Sequence, residues 1–445
     1  MAKVLPFHGI LYNREKIADP AAVVAPPYDV ISRQQQEAFH NQHPNNIIRL
    51  ILGENKPGDN SNENRHTRAA VFFNKWLKEK ILITDPEPVF YINATTFEHN
   101  QQMITRYGLI ARVRLEPFEK GIILPHEKTF SKVKSERLEL MKVCHANFSP
   151  IFALYSDQNA VFSILQNEIQ KLDSLISIKD QQNQIQKLWR ISDQSICDSI
   201  SKAMDKNKLF IADGHHRYET ALNYRNWVAE NEPDFDSSHP ANYIMMYLCS
   251  MNDPGLIILP AHRLLKNVSK KALDTALKKL EEWFIIKVFP FEKESRGPVQ
   301  KKFITAIKTG ANENTIGIYQ KDRSEFYLLT LKPGIMRKVF GQEIPEALIC
   351  LDVTVLTRLI FMKAMGFDQA GLDDEKLIAY SSFAENAVEM IDNNGFDAGF
   401  ILNHTKIEQV QKVAGSGLIM PRKSTYFYPK VISGMVQNSL EPGAI

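Results

Sequence analysis

The stretch Ile211-Ala212-Asp213-Gly214-His215-His216-Arg217 constrains this chain most, because it puts a carboxylate, a glycine, two imidazoles and a guanidinium where a strand becomes a helix. Lys208 to Ala212 is a short apolar run of strand type, and Tyr218, Ala221, Leu222, Tyr224 and Val228 recur at roughly helical spacing over Tyr218 to Glu230. A helix start exposes unpaired backbone N–H groups and the positive end of the dipole, and glycine lets an anion approach the backbone closely. With Arg217 and the histidines added, the turn reads as a phosphate cradle. Helix capping and turn formation alone account for Asp213 and Gly214 but leave the other three residues unexplained.

The length of 445 residues suits about two to four domains with sizeable cores. The 54 Lys and Arg residues nearly balance 51 Asp and Glu, a formal charge of +3, so no global field favours a nucleic acid partner. Cysteines at 144, 197, 249 and 350 are too far apart for a CxxC pair and suit a reducing cytosol. Met1 to His8 has no apolar leader core, and apolar stretches such as Leu348 to Phe367 are broken by Asp352 and Arg358. The expectation is a cytoplasmic protein with no membrane partner.

Periodicity predicts helices at Arg33 to His40 and Thr67 to Lys80, and an antiparallel pair at Val89 to Phe97 and Met103 to Leu115. Pro150 to Tyr155 reads as a strand, Ala160 to Leu172 as a helix, Ile185 to Ile191 as a strand and Asp193 to Asp205 as a helix. Tyr243 to Met251 and Leu256 to Ala261, joined by Asn252-Asp253-Pro254-Gly255, read as a hairpin. From Ser269 the order helix, strand, helix, strand, strand suits a two-layer α/β sandwich, followed by helices at Leu348 to Met365 and Ala379 to Asn393. The fold class is therefore α+β with a mixed sheet. Residues 1–265 form one expected domain and 266–445 a C-terminal α/β domain whose tail, 415–430, is a candidate to return to the site.

Two further clusters carry chemistry. His126-Glu127-Lys128-Thr129, followed by Lys132, Lys134, Glu136 and Arg137, joins an acid, a base and cations, suited to general-base work, magnesium binding or phosphate contacts; it reads equally as an exposed basic helix from Lys128 to Lys142. Met420 to Lys430 interleaves Arg422, Lys423, Ser424 and Lys430 with aromatics, a pattern for gripping phosphate and stacking a base, or for an edge strand protected by lysines. Pro26-Pro27-Tyr28-Asp29 fixes a turn presenting Tyr28 and Asp29. There is no Walker loop, GxGxxG, GxSxG or HExxH pattern.

Ala25 to Ile31, His126 to Thr129, Asn147 to Phe152, Ile211 to Arg217, Asp253 to Arg263 and Met420 to Lys430 together resemble the bacterial domain-of-unknown-function family 1015 over nearly the whole chain. The Asp-Gly-His-His-Arg turn alone is similar to that of the archaeal ADP-dependent free serine kinase, in the ParB and sulfiredoxin superfamily. That resemblance implies a ParB/sulfiredoxin-like strand-turn-helix core, with Asp213, Gly214, His215, His216 and Arg217 at a nucleotide and phosphoryl site.

The functional expectation is phosphoryl transfer between ADP or ATP, with Mg²⁺, and a small hydroxyl compound, serine or phosphoserine leading. Glu127, Asp213 and His216 are the candidate catalytic residues, with Asp213 and Glu127 also candidate Mg²⁺ ligands. Gly214, His215, Arg217, His126, Arg422, Lys423 and Ser424 are candidate nucleotide contacts. The alternatives are a nucleotide-sensing ParB-like protein without turnover and a metal-dependent phosphohydrolase.

Overall fold

A computed structural model describes residues 1–129, 131–156, 160–393 and 395–442, without the side chains of 131–133. The fold is mixed α+β. The chain divides into two compact units: residues 1–257 with 429–445, and residues 258–428.

The first unit is built on a nine-stranded mixed sheet. Its spatial order is Ile123–Leu124, Leu209–Asp213, Ile151–Tyr155, Tyr243–Ser250, Gln102–Arg114, Phe90–His99, Ile185–Ile191 and Ile176–Lys179, with Val4–Leu5 also paired to Gln102–Arg114. The expected antiparallel pair is present, with Tyr91 opposite Ile110 and Phe97 opposite Ile104. Inward residues such as Ile92, Leu109, Ile151, Ile211 and Met246 are fully buried and pack with Val161, Leu165, Ile200 and Tyr218 from helices. Alternation along the strands thus supplies the face that these helices cover.

Two registers position the site. Leu209 and Phe210 pair in parallel with Ile123 and Leu124, so the chain leaves both strands at the same sheet end, carrying Asp213 beside His126. Leu209–Asp213 runs antiparallel to Ile151–Tyr155, which brings Pro150 to that end too, and a register shift between Ile211 and Asp213 re-aims the carboxylate. A separate four-stranded sheet, ordered Leu82–Thr84, Gly9–Tyr12, Gln437–Ser439, Ala146–Asn147, ties the C-terminal segment into this unit.

The expected hairpin does not form. Tyr243–Ser250 pairs with Gln102–Arg114 and Ile151–Tyr155, whereas Ile258 and Leu259 belong to a strand paired with Tyr426–Tyr428. The Asn252 to Gly255 turn docks on a neighbouring strand instead: Asp253 accepts the N–H of Tyr107 at 2.8 Å, and a Cβ on Gly255 would lie 2.4 Å from the Thr105 carbonyl oxygen.

The second unit holds a six-stranded antiparallel sheet, ordered Phe284–Pro290, Glu325–Leu331, Thr315–Gln320, Ala398–Ile401, His262–Leu265, Ile378–Ser381. Tyr319 and Ile401 face helices Arg296–Thr309 and Ala384–Asn393, whereas Ile318 and Phe400 face Lys270–Leu280 and Val355–Ala364. The sandwich therefore has three layers where the sequence pattern suggested two. Residues 379–381, expected in a helix, are in a strand because Tyr380 and Ala379 pair with Arg263 and Leu264. Among the described residues no helix is long and apolar enough to cross a membrane.

Candidate functional site

The strand Leu209–Asp213 ends at Gly214, whose φ of 93° is left-handed, and the 17-residue helix His215–Asn231 begins immediately. Glycine is required there for conformation. A Cβ there would also stand 2.9 Å from the Arg217 guanidinium carbon folded back over the turn, so a larger residue displaces that side chain. Gly214, having no side chain, supplies no cap of its own to this helix start.

Asp213 is bracketed by two cations. One carboxylate oxygen accepts from Arg217 Nη2 at 2.6 Å and the other accepts from Lys430. Burial opposes ionisation of Asp213, but Lys430 and Arg217 outweigh it and hold the carboxyl well below the usual range. Arg217 also donates to the Pro150 carbonyl, which fixes the guanidinium against the sheet.

The histidines divide by burial. His126 and His215 are buried, with rings 4.8 Å apart and nearly perpendicular. Burial pushes His126 down to about 4, while the Ile211 carbonyl and Asp213 pull the other way; burial and then the His126 charge put His215 well below its ordinary value. Both are therefore neutral at pH 7. The backbone N–H of His126 donates to His215 Nε2 at 3.3 Å, so the neutral ring carries its proton on Nδ1, 3.9 Å from a Glu127 carboxylate oxygen. His216 is half-buried, and its carbonyl accepts from the Thr220 hydroxyl at 2.7 Å. Thr129 and Lys134 both donate to Glu219, one turn along the helix from His215.

The 126–129 and 213–217 segments thus meet in the first unit. Lys430 and Glu219 are not among the candidate site residues read from the sequence; Arg137, named there with the His126 cluster, lies 4.1 Å over the Tyr28 ring. Lys430 stood inside the quoted basic segment, and only the long-range pairing of Gln437–Ser439 tells it from its neighbours.

Arg422, Lys423 and Ser424 lie in the second unit. Arg422 donates to Glu375 at 2.6 Å, Arg263 donates to the carbonyls of Arg422 and Lys423, and the buried Ser424 hydroxyl donates to the Pro421 carbonyl at 2.5 Å. Among the described residues, no three or more His, Cys, Asp or Glu side chains form a group that could hold a metal ion.

The sequence profile described as Protein of unknown function (DUF1015) matches residues 4–354. The chain belongs to the DUF1015 family. No curated protein matches this DUF1015 chain. Similar solved structures include a free serine kinase in complex with AMP, at 11% identity and TM-score 0.32 over 69% of this chain and 84% of that one. A conserved hypothetical protein from Pyrococcus furiosus shows 12% identity and TM-score 0.32 over 70% and 89% of the two chains. C-terminally truncated SbnI from Staphylococcus aureus shows 9% identity and TM-score 0.34 over 72% and 85%.

Proposed function

We propose that this chain transfers a phosphoryl group between ADP or ATP and a small hydroxyl metabolite, serine or phosphoserine leading, with the phosphates seated at the start of helix His215–Asn231. The carrying observation is the left-handed Gly214 opening a 17-residue helix, with Arg217 and Lys430 converging on the single carboxylate of Asp213. One acid shared by two cations leaves an excess of positive charge at the positive end of a helix dipole, which suits an anion. The nucleotide and the serine-like acceptor follow from the motif-level resemblance of the same turn, and the ParB/sulfiredoxin-like assignment belongs to this proposal.

Phosphoryl transfer asks for in-line positioning and charge cancellation more than for covalent chemistry. Gly214 and the amides after it, with Arg217, hold the phosphates in this reading, and His216 faces the transferring group. His126 and His215, neutral and buried, orient one another and direct an N–H towards Glu127. Asp213, held ionised by two cations, is a weak base and serves to place them; Glu127, with a side chain 27% exposed, is the better proton acceptor. The residues do not fit a resident Mg²⁺, because both Asp213 oxygens are engaged by cations; the ion would arrive with the nucleotide. Cytoplasmic residence is part of the proposal.

Calorimetric titration with ADP and ATP tests the reading. Binding by the wild type, lost in Arg217→Ala and Gly214→Val, supports it. Unchanged affinity in Arg217→Ala sinks it. A sensor without turnover is the second reading, favoured by the same ion pairs that make Asp213 a weak base.

A further inference from the structure

The longest open sheet edge among the described residues lies in the second unit. Phe284–Pro290 ends the six-stranded sheet, pairs with Glu325–Leu331 over seven residues and meets no strand on its outer side. The other strands that end sheets run two to four residues. The Lys332 N–H donates to the Trp283 carbonyl and the Phe291 N–H to the Ser324 carbonyl, each at 2.9 Å and in register with the ladder. Antiparallel bonds alternate, so the odd-numbered residues bond the neighbouring strand, and Phe284, Ile286 and Val288 turn their N–H and C=O groups to the open side. Ile285 is 61% and Val288 44% exposed. A long apolar edge of this kind is a template for another strand.

An open groove of about 690 Å³ runs beside this strand, on the face covered by helix Arg296–Thr309. Lys287 from the strand and Lys301 and Lys302 from the helix line it, with Glu313 as the one acid in the lining. Lys287 lies 5.1 Å over the Phe289 ring, and none of the three lysines is in an ion pair among the described residues. The other acids nearby lie off the groove. Glu325 is on the opposite face of the sheet, where Tyr327 donates to it, and Glu281, Glu282, Glu292 and Glu294 sit in the segments before and after the strand. Charge therefore selects the occupant. A second copy pairing edge to edge would bring its own three lysines against these, whereas a strand with acidic side chains on that face is attracted. Ile286 and Val288 face the other way, which asks for apolar side chains at the alternate positions.

We infer that this edge takes an extended segment of a partner protein as an added strand, with acidic side chains on the lysine-lined face and apolar ones alongside Ile286 and Val288. Main-chain hydrogen bonds to Ile286 and Val288 supply affinity, and Lys287, Lys301 and Lys302 select for acids. Strand and groove both lie within residues 258–428, so the surface belongs to a different unit from the Gly214 turn and does not rest on the phosphoryl-transfer reading.

The test is fluorescence anisotropy of short labelled peptides titrated with the full chain. One peptide alternates glutamate and valine, a second has lysine in place of glutamate, and a third is the glutamate peptide with its backbone nitrogens methylated, which cannot donate as a strand. The glutamate peptide binds saturably, and both controls bind at least about tenfold more weakly. Val288→Pro removes an outward N–H while leaving the bonds to Glu325–Leu331, and it weakens the glutamate peptide about tenfold. Lys301→Glu combined with Lys302→Glu, both exposed on the helix, weakens it by a similar factor and covers the case in which Val288→Pro does not fold. No saturable binding of the glutamate peptide, equal binding of either control, or unchanged affinity in a folded variant overturns the proposal. Sedimentation velocity supplies the remaining arm: self-association of the chain that Val288→Pro abolishes would assign the edge to a second copy and overturn it as well.

Discussion

Replacing Lys430 with methionine removes one of the two cations on Asp213 at nearly constant side-chain length. The Lys430 and Asp213 side chains are each 13% exposed, so the pair is largely out of water. Arg217 remains on the other oxygen at 2.6 Å. The loss is therefore that of one charge-assisted hydrogen bond, about 1.5–3 kcal/mol, below the about 3–5 kcal/mol of a buried charge left wholly unpaired. In a unit of this size that lowers the melting temperature by about 3–10 °C at pH 7. A double-mutant cycle with Asp213→Asn, followed by urea denaturation, returns a coupling energy of the same size. The pH dependence has a definite sign. Lys430 and Arg217 hold the folded carboxyl below its unfolded value of 3.8, so the stabilisation is complete above that pH and fades as the pH falls towards the folded value. The gap between wild type and variant persists down to about pH 4 and narrows below it. A coupling within about 0.5 kcal/mol of zero, or a gap that widens on acidification, refutes the reasoning.

Other substitutions probe neighbouring parts of the account. Gly214→Ala forces a side chain into a φ of 93°, costs about 1–3 kcal/mol and dislodges Arg217, so thermal stability and nucleotide affinity fall together in calorimetry. His126 titrates near 4 when folded and 6.5 when unfolded, so the unfolded chain binds more protons between those values and stability falls on acidification. That single group costs about 2 kcal/mol at pH 5, and a folded His126→Asn variant has a correspondingly flatter stability profile from pH 7 to 5. Arg422→Ala breaks a pair with a Glu375 side chain that is 76% exposed, so its unfolding free energy changes by less than about 1 kcal/mol in a urea titration.

The sequence revealed most where local pattern and tertiary pairing agree. Ile185–Ile191 and the helix Gln194–Met204 follow from alternation and from helical spacing behind an Asp193 cap. The Asp-Gly-His-His-Arg turn is legible because glycine, helix start and strand end lie within seven residues. Long-range choices were not legible. The Asn252 to Gly255 turn has hairpin chemistry, yet Asp253 is committed to the Tyr107 amide. Residues 379–381 fit a helical pattern until His262–Leu265 offers an antiparallel edge. The meeting of Glu127 with His215 depends on the parallel register of Ile123–Leu124, and Lys430 reaches Asp213 from 217 positions away. Neither fact has a periodic signature in the sequence.

The central claim is that the Gly214 turn handles a phosphoryl group, and phosphorus NMR of the purified protein with Mg²⁺ and ADP or ATP, with and without L-serine, tests it most directly. The account predicts a phosphoserine resonance that needs serine, is absent in Arg217→Ala and is strongly slowed in Glu127→Gln. Unchanged spectra with every nucleotide and acceptor pair, or equal turnover by Arg217→Ala, would contradict it.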